Sequence, residues 1–386
     1  MRLSARPPRK KGRYVLLTAA LLLAVQGLRT LHIPTSAPHF ASVQHAVPQT
    51  TDSSMCLKSP AGGEAPPAPA RLSGRLGLYV AVVDPVTLEP IRVVSRDPDG
   101  VYPLASAYKQ SVLWALLRQK DAGALSLSET FDVSADAQSL GNYPFDHSNV
   151  LTLATRMIQK SDNTATDLLH RRIGLKAVQD VADTLHLCHT RLILPTKDWW
   201  TAQAGLSPSF PGAETFAALS GAERLKAAQA LDQDARTHRA DLLQRKLDDY
   251  FDHRYTPQTD LGTQNVSTPA EFAHLIAAEF LHSGLSADAQ AMQRQLMALG
   301  FGGKRIQAPF TYFGGKGGNG WRLLTYSGYF HTAGGEDVVY AFMQHGADQP
   351  YTMHNTGAAF QWINAALKQV LMKGDGGSVE GAAVRN

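Results

Sequence analysis

Ser106 and Lys109 are residues whose types and spacing can do covalent chemistry. They lie in Val101-Tyr102-Pro103-Leu104-Ala105-Ser106-Ala107-Tyr108-Lys109-Gln110, ahead of the largely apolar run Ser111-Val112-Leu113-Trp114-Ala115-Leu116-Leu117. A helix that starts here is buried on most faces, and residues three apart share one face. A serine hydroxyl is a poor nucleophile until a base takes its proton, and a desolvated lysine amine is such a base. The start of a helix adds free N–H groups and a positive dipole end, which suit a developing oxyanion. The same spacing also fits a plainer reading, with Ser106 in a helix start and Lys109 as a solvated charge.

The elements that must position these residues belong to a chain of 386 residues, 44% hydrophobic and 18% charged, enough for a well-cored body. Much of the net charge of +4 comes from the basic tip Arg2, Arg6, Arg9, Lys10, Lys11 and Arg13. The body is therefore near neutral, and the charge does not point to nucleic acid. The tip precedes the short apolar run Tyr14 to Leu28, the pattern of a secretory signal, with an uncleaved signal anchor as the alternative. Either way, residues 1–28 predict export, with membrane contact only through this segment.

Residues 29–74 are rich in Pro, Ala and Ser and predict a flexible spacer. Two cysteines, Cys56 and Cys188, suit an exported protein without a disulfide framework. Cys56 falls in the spacer and Cys188 beside an apolar segment, which favours unpaired thiols over a bridge. None of the 14 histidines has a tight metal-ligand spacing, so no metal or other cofactor is expected.

Order is expected from about Gly77. Leu78 to Val83 and Ile91 to Val94 read as a hairpin of strands. The helix after Ser106 stops near Gly123. Leu151 to Ile158 reads as a helix, then the turn Ser161-Asp162-Asn163 opens a second helix ending near Gly174. Residues 205–264 are a charged, helix-favouring insertion, read either as a solvated helical hairpin or as a lid or partner surface. Thr268, Pro269 and Glu271 read as a capping box. The Gly-rich stretch Tyr312 to Trp321 is followed by strands at Leu323–Phe330 and Asp337–Met343, a helix from Ala358 to Leu371, and a tail at 373–386 expected to be disordered. The order predicts an α+β fold: an antiparallel sheet formed from both chain ends with an inserted helical half.

Three motifs stand in order: Ser106-x-x-Lys109, Ser161-Asp162-Asn163 and Lys316-Gly317-Gly318. Together they resemble the penicillin-recognising serine enzymes, most closely the class A β-lactamase-like hydrolases, over about residues 75–372. The resemblance implies that Ser106 is the acylated nucleophile and Lys109 the amine that activates it. It implies that Ser161 relays a proton to the leaving group and that Asn163 hydrogen-bonds a substrate amide. Lys316, on the sheet edge, would attract a substrate carboxylate. Gly318 completes the third motif, and the oxyanion would lie between the N–H groups of Ser106 and Asn319.

Two departures bear on activity. Gly317 stands where a hydroxyl residue is usual, a loss of about 1.5–3 kcal/mol if that hydroxyl grips a carboxylate. A glutamate that positions the deacylating water is also missing: its place falls near Thr196, and none occurs from Thr190 until Glu214. Asp198 is the carboxylate that can substitute; its plainer reading is a loop carboxylate paired with Lys197.

The resemblance therefore predicts an exported hydrolase that acylates Ser106 on a small-molecule or peptidoglycan-like amide or ester and deacylates slowly. The alternatives are a D-alanyl-D-alanine carboxypeptidase or penicillin-binding protein, and a non-catalytic envelope binding protein on the same scaffold.

Overall fold

The computed structural model describes residues 56–135, 137–141 and 144–372. The expected leader, the first part of the spacer and the tail lie outside the described residues. Strands β1 (Gly63–Glu64), β2 (Arg75–Val83) and β3 (Pro90–Arg96) open the chain, followed by the short β4 (Tyr102–Pro103). A 3-10 turn, Ala105–Tyr108, leads into α1 (Lys109–Asp121). Short strands β5 (Thr130–Asp132) and β6 (His147–Asn149) precede α2 (Val150–Gln159), α3 (Asn163–Ile173), α4 (Leu175–Asp183) and α5 (Thr196–Gln203). The charged segment forms α6 (Ala213–Ala218), α7 (Gly221–Arg236), α8 (Ala240–His253) and α9 (Pro257–Thr263). Then come β7 (Val266–Ser267), α10 (Pro269–Leu281), α11 (Ala287–Ala298), β8 (Phe310–Gly320), β9 (Leu323–Thr332), β10 (Asp337–His345) and α12 (Met353–Met372).

The main sheet has the order β1-β3-β2-β10-β9-β8, antiparallel throughout except that β1 runs parallel to β3. It is formed from both ends of the chain, as the sequence predicts. Alternate residues of β2 face opposite sides. Leu78, Val80 and Val82 pack with Phe342, Trp362 and Ile363 of the α12 layer. Tyr79, Ala81 and Val83 pack with the helical side, including Leu113, Phe272 and Ile276. Helices therefore cover both faces.

Several expectations change. Order begins well before Gly77: Ala65 and Leu72 are buried, and β1 edges the sheet, so residues 56–74 belong to the body. Cys56 and Cys188 are bonded to each other, with Cα atoms 5.6 Å apart and a sequence separation of 132, against the unpaired reading. The Gly-rich stretch, left unassigned by its pattern, is itself strand β8, with Lys316 on the sheet edge as the resemblance implies; glycine's low strand preference hides such a strand in the sequence. Thr268 caps α10 by accepting from the Glu271 N–H. Glu271 does not complete the box; its carboxylate takes the N–H of His189 and the hydroxyl of Thr190. The insertion is packed rather than merely solvated, burying Phe216, Leu231, Leu243 and Leu247.

Glu279 of α10 is buried and accepts from Gln293 Nε2 at 3.0 Å. Burial pushes its carboxyl up from 4.5 to about 8. The folded chain therefore holds a proton that the unfolded chain releases. Stability from this group is full below about pH 4.5 and is lost as pH rises through 8, by at most about 1.4 kcal/mol per unit. Glu279→Gln should melt at a temperature less dependent on pH between 5 and 8 than wild type. Equal slopes for the two proteins in thermal melts would refute this.

Candidate active site

The site begins where the backbone leaves β4. Ala105 takes φ +44°, in the left-handed region, and Ser106 follows in the 3-10 turn. The Lys109 N–H donates to the Ser106 carbonyl. In such a turn the side chains at i and i+3 eclipse, so Ser106 and Lys109 are brought to one side more directly than in an α-helix. Ser106 is half-buried within a run of buried residues. Gln110 fixes the turn by donating to the Ala107 carbonyl and, at 2.9 Å, to Ser327 Oγ of β9.

Lys109 is fully buried. Its Nζ donates to the Ser161 carbonyl at 2.7 Å, to Asn163 Oδ1 at 2.7 Å and to Ser161 Oγ at 3.3 Å. Burial, and then the nearby Lys316 charge, push its amine well below the usual lysine range, against the pull of Asp167 and Asp162. Ser161 itself takes φ +55° between α2 and α3. Asp162 holds that turn. It caps α3 by accepting from the Ala165 N–H and takes Arg156 Nε at 2.8 Å.

Lys316 approaches from the other side, on edge strand β8. It is also buried, and its Nζ donates to Ser161 Oγ at 2.9 Å and to the Gly317 carbonyl at 2.8 Å. Burial lowers its amine to about 7. Ser161 Oγ therefore sits between two amines, one from the helical half and one from the sheet.

Gly318 sets the approach of β8. A Cβ there would lie 2.5 Å from Ser106 N and 2.8 Å from Ala107 N, so only glycine lets the strand backbone meet the turn. Asn319, next along, is exposed and pairs with Leu324. Gly317 points the other way: a Cβ there would lie 2.8 Å from the Tyr326 ring, which stacks on Phe301. The space beside Gly317 on that face is occupied by this aromatic pair.

The structure thus joins Lys109, Ser161, Asn163 and Lys316 by hydrogen bonds and brings Gly318 against the Ser106 N–H, with Asn319 next along the strand. Asn163 is engaged within the protein, with Oδ1 on Lys109 and Nδ2 donating to the Leu140 carbonyl at 3.1 Å. Asp198 is not gathered there. It is buried and accepts from Arg171 at 3.2 Å, so its cation is Arg171 rather than the expected Lys197. Burial pushes its carboxyl well up, against Arg171 and with neighbouring Asp232 adding to the rise. Thr196, near the place of the expected glutamate, is buried with its hydroxyl on Asp167 and Ser139.

Sequence reading missed Asp167. Its carboxylate accepts from the N–H groups of Thr196 and Lys197 and so holds the start of α5. The signal was its position four residues after Asn163, on the same face of α3. It also missed Gln110 and Ser327, which have no motif.

A sheet with helices on both faces, a serine turn beneath its edge and a lysine on the edge strand define a serine enzyme of the β-lactamase-like superfamily. A family model described as the β-lactamase enzyme family matches residues 73–370, and the chain belongs to that family. Among solved structures, the chain is similar to a β-lactamase from Sphaerobacter thermophilus at 17% identity and TM-score 0.53, covering 81% of this chain and 95% of that one. It is similar to a class A β-lactamase from Mycobacterium abscessus at 14% identity and TM-score 0.52, covering 77% and 94%. A protein titled PBP-A is similar at 17% identity and TM-score 0.54, covering 79% and 92%. These likenesses concern the fold. No curated protein matches the chain.

Gly318→Ala should fold yet lose acylation of Ser106 by roughly 10²–10³-fold, the effect of losing one oxyanion donor. Rate measurements with an acylating probe, beside a circular-dichroism check of folding, test this. An unchanged rate would mean that β8 does not set the oxyanion site.

Proposed function

We propose that the chain is an exported serine hydrolase that works through an acyl-enzyme on Ser106. The observation that carries this reading is the Ser161 hydroxyl between two buried amines, beside a turn that β8 meets only through Gly318.

In this reading Ser106 Oγ attacks an amide or ester carbonyl and forms the acyl–oxygen bond. Its proton goes to the neutral amine of Lys109, which burial and the Lys316 charge favour. The oxyanion is held by the N–H groups of Ser106 and Asn319. As the tetrahedral intermediate collapses, the bond to the leaving nitrogen or oxygen breaks. The leaving atom takes the Ser161 proton, and a lysine ammonium restores it. Water then hydrolyses the acyl-serine.

That last step needs a group to position the water. Thr196 offers no carboxylate, and Asp198 is tied to Arg171. This favours a long-lived acyl-enzyme and keeps a second reading, a penicillin-binding protein or D-alanyl-D-alanine carboxypeptidase. Export is supported by the basic and apolar N-terminal pattern and by the Cys56–Cys188 bond, which suits an oxidising compartment. No helix of the described residues is long and apolar enough to cross a membrane.

Intact-mass measurement after incubation with benzylpenicillin tests the reading. An adduct that persists in wild type and is absent in Ser106→Ala is expected, with Lys109→Ala acylating about 10²–10⁴-fold more slowly. Neither an adduct nor ring opening would remove the lactam substrate, and failure with ester probes as well would remove the hydrolase.

Lys316 adds a pH dependence. Its amine, lowered to about 7, is an ammonium below that pH and neutral above it. KM for a carboxylate-bearing substrate should rise between pH 6 and 8, while KM for a neutral ester stays level. Parallel pH profiles for the two substrates would deny Lys316 the carboxylate.

A further inference from the structure

Two hydroxyls of β9 lie beneath the nucleophile's turn. Side chains alternate along a strand, so Thr325, Ser327 and Tyr329 face one side of the sheet and Tyr326 the other. Tyr329 packs in the core on the helical side, and Tyr326 packs in the core against α12. Thr325 and Ser327 therefore face the helical half, and both are fully buried. In the register of the sheet, Thr325 is opposite Gly318 and Ser327 is opposite Lys316. Each hydroxyl thus sits across from a β8 residue that belongs to the site.

Each hydroxyl also holds the chain on one flank of Ser106. Thr325 Oγ1 donates to the Pro103 carbonyl at 3.1 Å, ahead of the nucleophile. Ser327 Oγ accepts from Gln110 Nε2 at 2.9 Å, beyond the nucleophile. Gln110 Nε2 also donates to the Ala107 carbonyl at 3.1 Å, and Ser327 Oγ donates to the Lys316 carbonyl at 3.3 Å. The bonds run one way, from amide through hydroxyl to strand carbonyl. The Ala107 carbonyl can only accept, which fixes the amide with its nitrogen toward the turn.

Gln110 is itself fully buried. For packing alone, an apolar side chain of its size would avoid the cost of burying an amide. The amide and the two hydroxyls act through the backbone, since none of these three residues is exposed to solvent or substrate. The gap they span is narrow, because Gly318 lies against the Ser106 and Ala107 N–H groups. A misplacement of about 1 Å at a reacting centre costs up to about 10²-fold in rate.

We infer that Gln110, Ser327 and Thr325 are positioning residues that set the gap between the serine turn and β8, and so align the Ser106 and Asn319 N–H groups on the oxyanion. This rests on the acyl-enzyme reading above.

The experiment compares acylation by 4-nitrophenyl acetate with acylation by its thiono analogue, in which sulfur replaces the carbonyl oxygen. Donors aligned for oxygen should favour the oxo ester beyond the ratio of the two hydroxide rates. Gln110→Met is close in size without the amide, and Thr325→Val is close in shape without the hydroxyl. Both should acylate Ser106 about ten- to hundredfold more slowly with the oxo ester. Their oxo-to-thiono ratio should fall toward the hydroxide ratio, whereas Thr325→Ser should keep both rate and ratio. Equal losses on the two esters that track melting temperature would make the three residues structural only and overturn the inference. Unchanged rates in Gln110→Met and Ser327→Ala overturn it as well. If Gln110→Met does not fold, Ser327→Ala and Thr325→Val decide by the same ratio. If neither ester labels wild-type Ser106, the acyl-enzyme reading fails first. Hydrogen exchange then decides the positioning alone: peptides covering 103–110 should exchange faster in Ser327→Ala than in wild type, with α12 unchanged. Equal exchange at 103–110 overturns it.

Discussion

One hydroxyl oxygen joins the two halves of this protein. Ser161 Oγ accepts from Lys109 of α1 and from Lys316 of β8. Two buried amines so close would cost several kcal/mol if both stayed charged without partners. The structure answers with oxygens: the Ser161 carbonyl and Asn163 Oδ1 on one amine, the Gly317 carbonyl on the other. Holding that hydroxyl in place needs Ser161 at φ +55°, and the nucleophile's turn needs Ala105 at φ +44°. Such conformations cost on the order of 1–3 kcal/mol each and persist where the surroundings over-determine them. Here the Asp162 cap on α3 and the Arg156 pair do so on one side, and the β4 to α1 connection does so on the other.

Much of this was legible in the residues. The runs at Leu78–Val83 and Asp337–Met343 are long and apolar enough to mark central strands, and they lie side by side in the sheet. The serine, the two lysines and the Ser161 turn were legible because their types are chemically unusual at those spacings. The rest depends on contacts made far apart in sequence. Nothing local to Asp198 names Arg171 as its partner. Nothing near Cys56 says that its segment folds back on Cys188. β8 was hidden because its glycines serve approach to Ser106, Phe280 and Tyr326 rather than strand propensity.

The insertion is tied to the helical half by charge as well as by packing. Arg171 of α3 bridges Asp198 of α5 and Asp232 of α7, and Arg236 also pairs with Asp232. Asp232, although buried, is held below the usual carboxylate range by the two guanidinium groups. Asp167, one turn before Arg171, holds the backbone of α5. The segment where a water-positioning glutamate was expected is thus occupied with joining α3, α5 and α7. Its buried carboxylates serve helix placement.

The bond between Cys56 and Cys188 divides the site by topology. Ser106, Lys109, Ser161 and Asn163 lie inside the covalent ring it closes, while Lys316 and Gly318 lie outside it. A ring of this length removes on the order of 4–5 kcal/mol of chain entropy from the unfolded state. Ser106, Lys109 and Ser161 therefore remain within one closed loop even in a denatured chain. A single proteolytic cut between residues 57 and 187 would leave both pieces joined, and they would part only on reduction.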